Sequence, residues 1–327
     1  MSVRYGIHLL YRVPLITTEG KRFKMSLITH KNKLLSVILM ITMTLTAASC
    51  SSGAKETSVS EEASTVASST EEEKTIREGK INVADDPNFN NKKKISVQRD
   101  GIELTGVLYL PEGDGPFPVV IFAGGMGAGH EYLADIAKAQ SDNGIAAVIF
   151  SFAGDKDLKE LTARKEIADL KAVIGAVRTL NCIDGSRVFL WGHSFGGLIA
   201  SYVGCRFPDE IKGMMLVEPA YPLKDQISKD YPNPADVPEN IYSKQFIEDL
   251  YSFDIYEYMP SFKGNVTIFL GTTQRASGTT SPEHFERAKN TYPSCELVRI
   301  EGANHDFQVK GRDELIKGTT EFIKKNI

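Results

Sequence analysis

Ser194 is the residue of this chain best placed to act as a nucleophile. It sits in Gly192-His193-Ser194-Phe195-Gly196, and the flanks matter as much as the pentapeptide. Val188-Phe189-Leu190-Trp191 reads as a short buried strand, and Gly197-Leu198-Ile199-Ala200 opens a helical pattern. A strand that ends in G-x-S-x-G and passes straight into a helix turns so tightly that only small residues fit beside the serine. The turn lifts the Ser194 hydroxyl above the sheet, and the next amide, that of Phe195, faces any oxyanion formed there. Such a serine attacks acyl carbon. The competing reading is a structural glycine turn that happens to hold a serine.

The elements that would position Ser194 can be followed along the chain. Ile95-Ser96-Val97 and Ile102–Leu110 alternate like paired antiparallel strands joined at Asp100-Gly101. Val119–Ala123 and Ala146–Phe150 are continuous apolar runs, as expected of strands buried on both faces. The first opens into the glycine-rich stretch Gly124–Gly129, either a loop of convenience or a backbone brought close to a ligand. Ile167, Leu170, Val173, Ile174 and Val177 recur at helical spacing. Met214–Val217 is the next strand and ends in Glu218-Pro219. Val266–Leu270 and Glu296–Ile300 complete the set, and the last leads into Gly302-Ala303-Asn304-His305-Asp306-Phe307 and a closing helix. Strands alternating with helices predict an α/β fold with a mostly parallel sheet and an antiparallel start.

With Ser194 after a mid-chain strand and His305 after the final one, this pattern resembles the α/β-hydrolase fold, over about residues 94–327. Within that superfamily it is most similar to bacterial feruloyl and cinnamoyl esterases and related serine hydrolases. The matching stretches are LYLP, GPFPVVIF, GHSFGG, FDIYEYMPSFKG and IEGANHDF. The resemblance implies a serine hydrolase acting on carboxylic esters, with a peptidase or amidase of the same fold, or a degenerate binding protein, as alternatives. It implies His305 as general base and no metal or organic cofactor. His193, inside the turn, is a position where such proteins commonly carry histidine without a triad role. For the oxyanion hole it assigns the Gly125 amide, partnered by Phe195, with Met126 as the neighbouring candidate.

The chain departs from the pattern at the triad acid. Relatives usually carry aspartate in a G-T-x-D context, whereas Gly271-Thr272-Thr273 is followed here by Gln274, and no carboxylate comes until Glu283. Glutamine cannot supply the charge that stabilises an imidazolium. Glu218, at the end of the preceding strand, stands where some members of the superfamily place their acid. Glu218 is therefore the expected acid, with Glu283 or a serine–histidine dyad as the other possibilities. Residues 221–263 are expected to form a cap, inserted after the sixth strand. Its aromatic residues, among them Tyr221, Tyr242, Phe246, Phe253 and Tyr256, would either meet an acyl group or simply pack the cap down.

The 327 residues carry a formal net charge of −4, which gives no footprint for nucleic acid. The four cysteines show no C-x-x-C or His-interleaved spacing, so they do not suggest zinc; Cys182 and Cys205 could pair only if the fold brings them together. Near the start, Met25 precedes Lys31 and Lys33, the apolar Leu34–Leu45 and Ala47-Ala48-Ser49-Cys50. This resembles a bacterial lipoprotein signal, which implies export and a membrane anchor on Cys50. An ordinary cleaved signal or an uncleaved membrane helix are the alternatives, and Met25 is an alternative start to Met1. Residues 1–49 are thus expected to be a targeting segment, 50–90 a Ser/Thr/Glu-rich solvated tether, and 91–327 the hydrolase-like domain.

Overall fold

The computed structural model describes residues 75–327, apart from 88, 240–241 and 274–281. The expected signal, Cys50 and Gln274 lie outside the described residues. Among the described residues, no helix is long and apolar enough to cross a membrane.

The strands are β1 (Lys80–Asp86), β2 (Phe89–Arg99), β3 (Ile102–Tyr109), β4 (Phe117–Ala123), β5 (Ala146–Phe150), β6 (Ile183–His193), β7 (Gly213–Val217), β8 (Asn265–Gly271) and β9 (Cys295–Ile300). They form one nine-stranded sheet in the order β1-β2-β3-β5-β4-β6-β7-β8-β9. β1, β2, β3 and β5 pair antiparallel, with the β2–β3 hairpin closing across Asp100-Gly101. From β5 through β4, β6, β7 and β8 to β9 every pairing is parallel.

The continuous apolar runs divide between two cores because successive side chains on a strand face opposite ways. Val119, Ile121, Val188, Leu190, Met214 and Leu216 face one core. There they meet α2 (Ala163–Val177) and α3 (Phe195–Arg206) through Leu170, Val173, Ile199 and Val203. Val120, Phe122, Phe189, Trp191, Met215 and Val217 face the other. It is closed by α1 (Ala134–Ser141) and α8 (Arg312–Asn326) through Ile136, Leu315 and Ile323. Helices on both faces of a parallel sheet leave the carboxyl ends of β4, β6, β7 and β8 as the open rim where a site can form.

Two expectations need correction. Sequence alone starts the folded domain at residue 91, but Ile76 is already buried and its N–H donates to Glu210 Oε1 at 2.7 Å. Lys80–Asp86 then forms the edge strand β1 against β2. The segment KINVADD is mostly exposed and lacks apolar alternation, so it carries no strand signal of its own; backbone pairing to β2 holds it in the sheet. That extra strand also means the cap follows the seventh strand, β7, and not the sixth. The segment between β7 and β8 folds as α4 (Leu223–Asp230), α5 (Lys244–Tyr251) and α6 (Ile255–Tyr258). Its aromatic groups largely pack inward: Phe246 lies 5.5 Å from Phe195 between ring centres, and Phe253 and Tyr258 each 5.0 Å from Tyr202 on α3. Cys182, Cys205 and Cys295 are free thiols.

Candidate active site

Ser194 stands between β6 and α3 with φ 54° and ψ −119°, a strained conformation for any residue with a side chain. Its backbone is held on both sides: its N–H donates to Val217 O at 2.9 Å, and its carbonyl accepts from Ala220 N–H at 2.9 Å. The small residue two positions on is a steric necessity. A Cβ on Gly196 would collide with the Gly124 and Ala123 carbonyl oxygens of the loop after β4. The same close approach brings that loop to the nucleophile, since a Cβ on Gly125 would lie 3.6 Å from Ser194 Cβ. Phe195 is the first residue of α3, so its amide has no partner inside the helix and is available to an oxyanion.

His305 is carried by the loop between β9 and α8, and its side chain is 14% exposed. Its Nδ1 is buried without a hydrogen-bond partner. Glu218 Oε2 lies 3.8 Å from that nitrogen. This is an ion-pair distance, one step outside hydrogen-bond range; such contacts are often long before substrate binds. Glu218 itself is 7% exposed and sits at φ 45° at the end of β7. Its other oxygen accepts from Gly271 N–H at 2.7 Å, and its own N–H donates to Phe269 O at 3.0 Å. The end of β8 thus fixes Glu218 in a strained backbone with one oxygen turned to His305. Glu283, the other candidate acid, is exposed in the first turn of α7 (Pro282–Thr291).

The oxyanion loop differs from expectation. The single amide hydrogen of Gly125 donates to Tyr132 Oη at 2.8 Å, so it is not available to an oxyanion in this conformation. Residues 125–128 form a turn closed by Ala128 N–H to Gly125 O at 3.1 Å, with Gly127 at φ 68° as that turn requires. Among the described residues no acceptor meets the Met126 amide. The loop's available donor is therefore Met126, the neighbouring candidate, and not Gly125. Asp155 steadies the turn from behind: Oδ1 accepts from Gly127 N–H at 2.9 Å and Oδ2 from Phe152 N–H at 3.0 Å.

Burial, together with the nearby carboxylates of Asp169 and Glu131, pushes the Asp155 carboxyl up to about 6 despite those two amide donors. A group whose folded value is raised favours the fold most while protonated. Its contribution is complete below about pH 4 and lost as pH rises through about 6. The stability of the parent relative to Asp155→Asn should therefore fall by about 2 kcal/mol between pH 4 and pH 7. Urea denaturation of the two proteins at both pH values measures this, and a difference that does not change with pH would refute it.

Two further residues were not legible as site components. Tyr132 lies seven positions beyond Gly125 in a helical segment, and His193 has the wrong neighbours for a triad role. The structure joins them: Tyr132 Oη is 3.2 Å from His193 Nδ1, and His193 Nε2 is 3.0 Å from the His305 carbonyl oxygen. One donor atom from each of His193, His305 and Asp306 lies within 4.8 Å of the others. Both ring nitrogens of His193 are already engaged within the protein, so a cation there would have to displace those bonds. A groove of about 780 Å³ between β8, β9 and α8 lies apart from this site; none of Ser194, Glu218 and His305 lines it.

A strained serine at a strand–helix turn, a histidine after the last strand and helices on both faces of a mostly parallel sheet decide the fold. It is the α/β-hydrolase fold. The family model described as alpha/beta hydrolase fold matches residues 118–246, which include Ser194 and Glu218. Est1E from Butyrivibrio proteoclasticus, a structure also solved with ferulic acid bound, superposes with a TM-score of 0.63 at 18% identity, over 71% of this chain and 98% of that one. In sequence the chain is 30% identical over 153 residues to the esterase EstD of Thermotoga maritima, covering 43% of this chain and 35% of that protein. It is 29% identical over 150 residues to the quorum-quenching protein AidA of Acinetobacter baumannii, covering 40% and 49%. The alignments thus span about half or less of these two relatives.

Proposed function

We propose that the chain is a serine-dependent carboxylic ester hydrolase that works through an acyl-enzyme on Ser194. The observations that carry this are the strained Ser194 at the β6–α3 turn and a half-buried His305 whose Nδ1 faces the Glu218 carboxylate at 3.8 Å. The esterase relative and the fold shared with Est1E support an ester as substrate. Ser194 Oγ attacks the ester carbonyl as His305 Nε2 takes its proton, and the Phe195 and Met126 amides stabilise the resulting oxyanion. Collapse breaks the carbon–oxygen bond, and the proton on His305 passes to the leaving alcohol. Water then repeats the sequence on the acyl-enzyme and releases the acid. Glu218 holds His305 Nδ1–H and stabilises the imidazolium in both halves.

A cavity of about 70 Å³ between the cap and α3 is lined by Leu198, Ala220, Leu250 and Phe253 but also by Lys224, Asp225, Asp254 and Arg287, and its small volume favours a short acyl chain. The bond from Ala220 N–H to the Ser194 carbonyl puts this cavity beside the nucleophile's backbone. A panel of p-nitrophenyl esters tests the reading: acetate and butyrate should be cleaved faster than long-chain esters, with p-nitroanilides slower still. A folded protein that cleaves none of them would count against it. We further propose that Cys50 is the lipid-modified residue of an exported, membrane-anchored protein. In a bacterial host, radiolabelled palmitate should enter the parent but not Cys50→Ala, and equal incorporation in both would reject the anchor.

A further inference from the structure

The Gly125, Tyr132, His193 and His305 contacts form a single chain whose direction can be worked out. A carbonyl oxygen only accepts, so His193 Nε2 donates to His305 O. A neutral imidazole with its proton on Nε2 leaves Nδ1 as an acceptor, so Tyr132 O–H donates to it. Tyr132 Oη in turn accepts from Gly125 N–H. Every hydrogen has an acceptor, and burial pushes the Tyr132 phenol well above its usual range, which keeps it a neutral O–H donor. The two ends of the chain are the two loops that must be held in register for acyl transfer. One carries the oxyanion amide of Met126, next to Gly125; the other carries the base. A second tie runs parallel. Arg312, which opens α8 just past the His305 loop, donates from Nη2 to the Tyr132 carbonyl at 2.8 Å and from Nε to Asp135 Oδ2 at 2.9 Å.

We infer that Tyr132 and His193 are positioning residues, a hydrogen-bonded strut that sets the oxyanion turn against the His305 loop. The inference rests on the hydrolase reading above and assigns a role to the histidine beside the nucleophile. By capping Gly125 N–H, Tyr132 fixes the peptide plane just before the one that carries the Met126 amide, and that next plane is held by Ala128 N–H on the Gly125 carbonyl at 3.1 Å. By holding the His305 carbonyl, His193 fixes the backbone from which the base projects. The His193 ring also packs against the His305 ring, 4.7 Å between centres, which steadies the base from its side chain as well as its backbone. The strut therefore acts on transition-state geometry and leaves substrate capture largely alone.

The test uses the full chain, with kcat expressed per site titrated by a fluorophosphonate so that only competent molecules are counted. Tyr132→Phe should lower kcat about 10- to 100-fold with KM within about threefold of the parent. The affinity for an alkyl boronic acid, a mimic of the tetrahedral adduct, should fall by the same factor as kcat. His193→Asn keeps a group near Nδ1 and loses the bond to His305, while His193→Gln keeps a donor near Nε2 and loses Tyr132. Each should lose about as much as Tyr132→Phe, because each cuts the same strut. Tyr132→Phe combined with His193→Asn should be no worse than the poorer single variant within about threefold. The strut is refuted if Tyr132→Phe keeps kcat within threefold of an active parent, or if the two losses multiply. A parent that neither turns over esters nor takes the label overturns the hydrolase reading, and the strut with it.

Discussion

Ser194→Ala should lower kcat/KM for p-nitrophenyl acetate by about 10⁵-fold, which corresponds to about 7 kcal/mol of lost transition-state stabilisation. The size follows from what is removed. Among the described residues no other nucleophile is held at φ 54° between a strand end and a helix N-terminus with the Gly125 backbone against its Cβ. Alanine keeps the fold and the amides of Phe195 and Met126, so a residual rate above that of water should persist from oxyanion stabilisation and binding alone. Circular dichroism and thermal melting should match the parent, because relief of a small side chain at this position costs no packing. A residual activity of a few per cent would mean that ester cleavage occurs elsewhere on the protein.

Glu218→Gln should lower kcat by about 10³- to 10⁴-fold with little change in KM. Glutamine keeps the volume and one oxygen, so the Gly271 N–H bond at 2.7 Å and the strained backbone at the end of β7 can both survive. What changes is the group facing His305 Nδ1 at 3.8 Å: an acceptor with negative charge becomes an amide. An amide N–H in that position selects the tautomer with its proton on Nε2, which cannot take the proton from Ser194. It also leaves the imidazolium without a counter-charge. Glu283→Gln is the control. Glu283 is exposed on α7, so its removal should leave kcat within about twofold of the parent. Steady-state kinetics on the three proteins checks this, and equal losses in both variants, or indifference to Glu218→Gln, would contradict the assignment.

Much of the frame was legible because the parallel strands are buried on both faces and therefore read as unbroken apolar runs. VFLWGHSFGG was legible for a different reason: the turn after β6 has so little room that the Gly196 position admits no side chain. β1 was not legible, since KINVADD stays in the sheet through backbone pairing and leaves no hydrophobic period to read. Glu218 could be picked out only as a carboxylate standing at a strand end; its contact with Gly271 depends on how β7 and β8 align. The engagement of the Gly125 amide was not legible because its acceptor is the hydroxyl of Tyr132, brought there by tertiary packing. Asp155 was hidden in the same way. Its role comes from two backbone amides that converge on it, and its raised proton affinity comes from burial.

The most direct test of serine catalysis is to treat the full chain with a fluorophosphonate and locate the adduct by peptide mass spectrometry. The expected result is a single adduct per molecule, on Ser194, absent from Ser194→Ala and formed much more slowly in Glu218→Gln. A folded protein that takes no label, or one that carries it on another residue, would contradict the account at its centre.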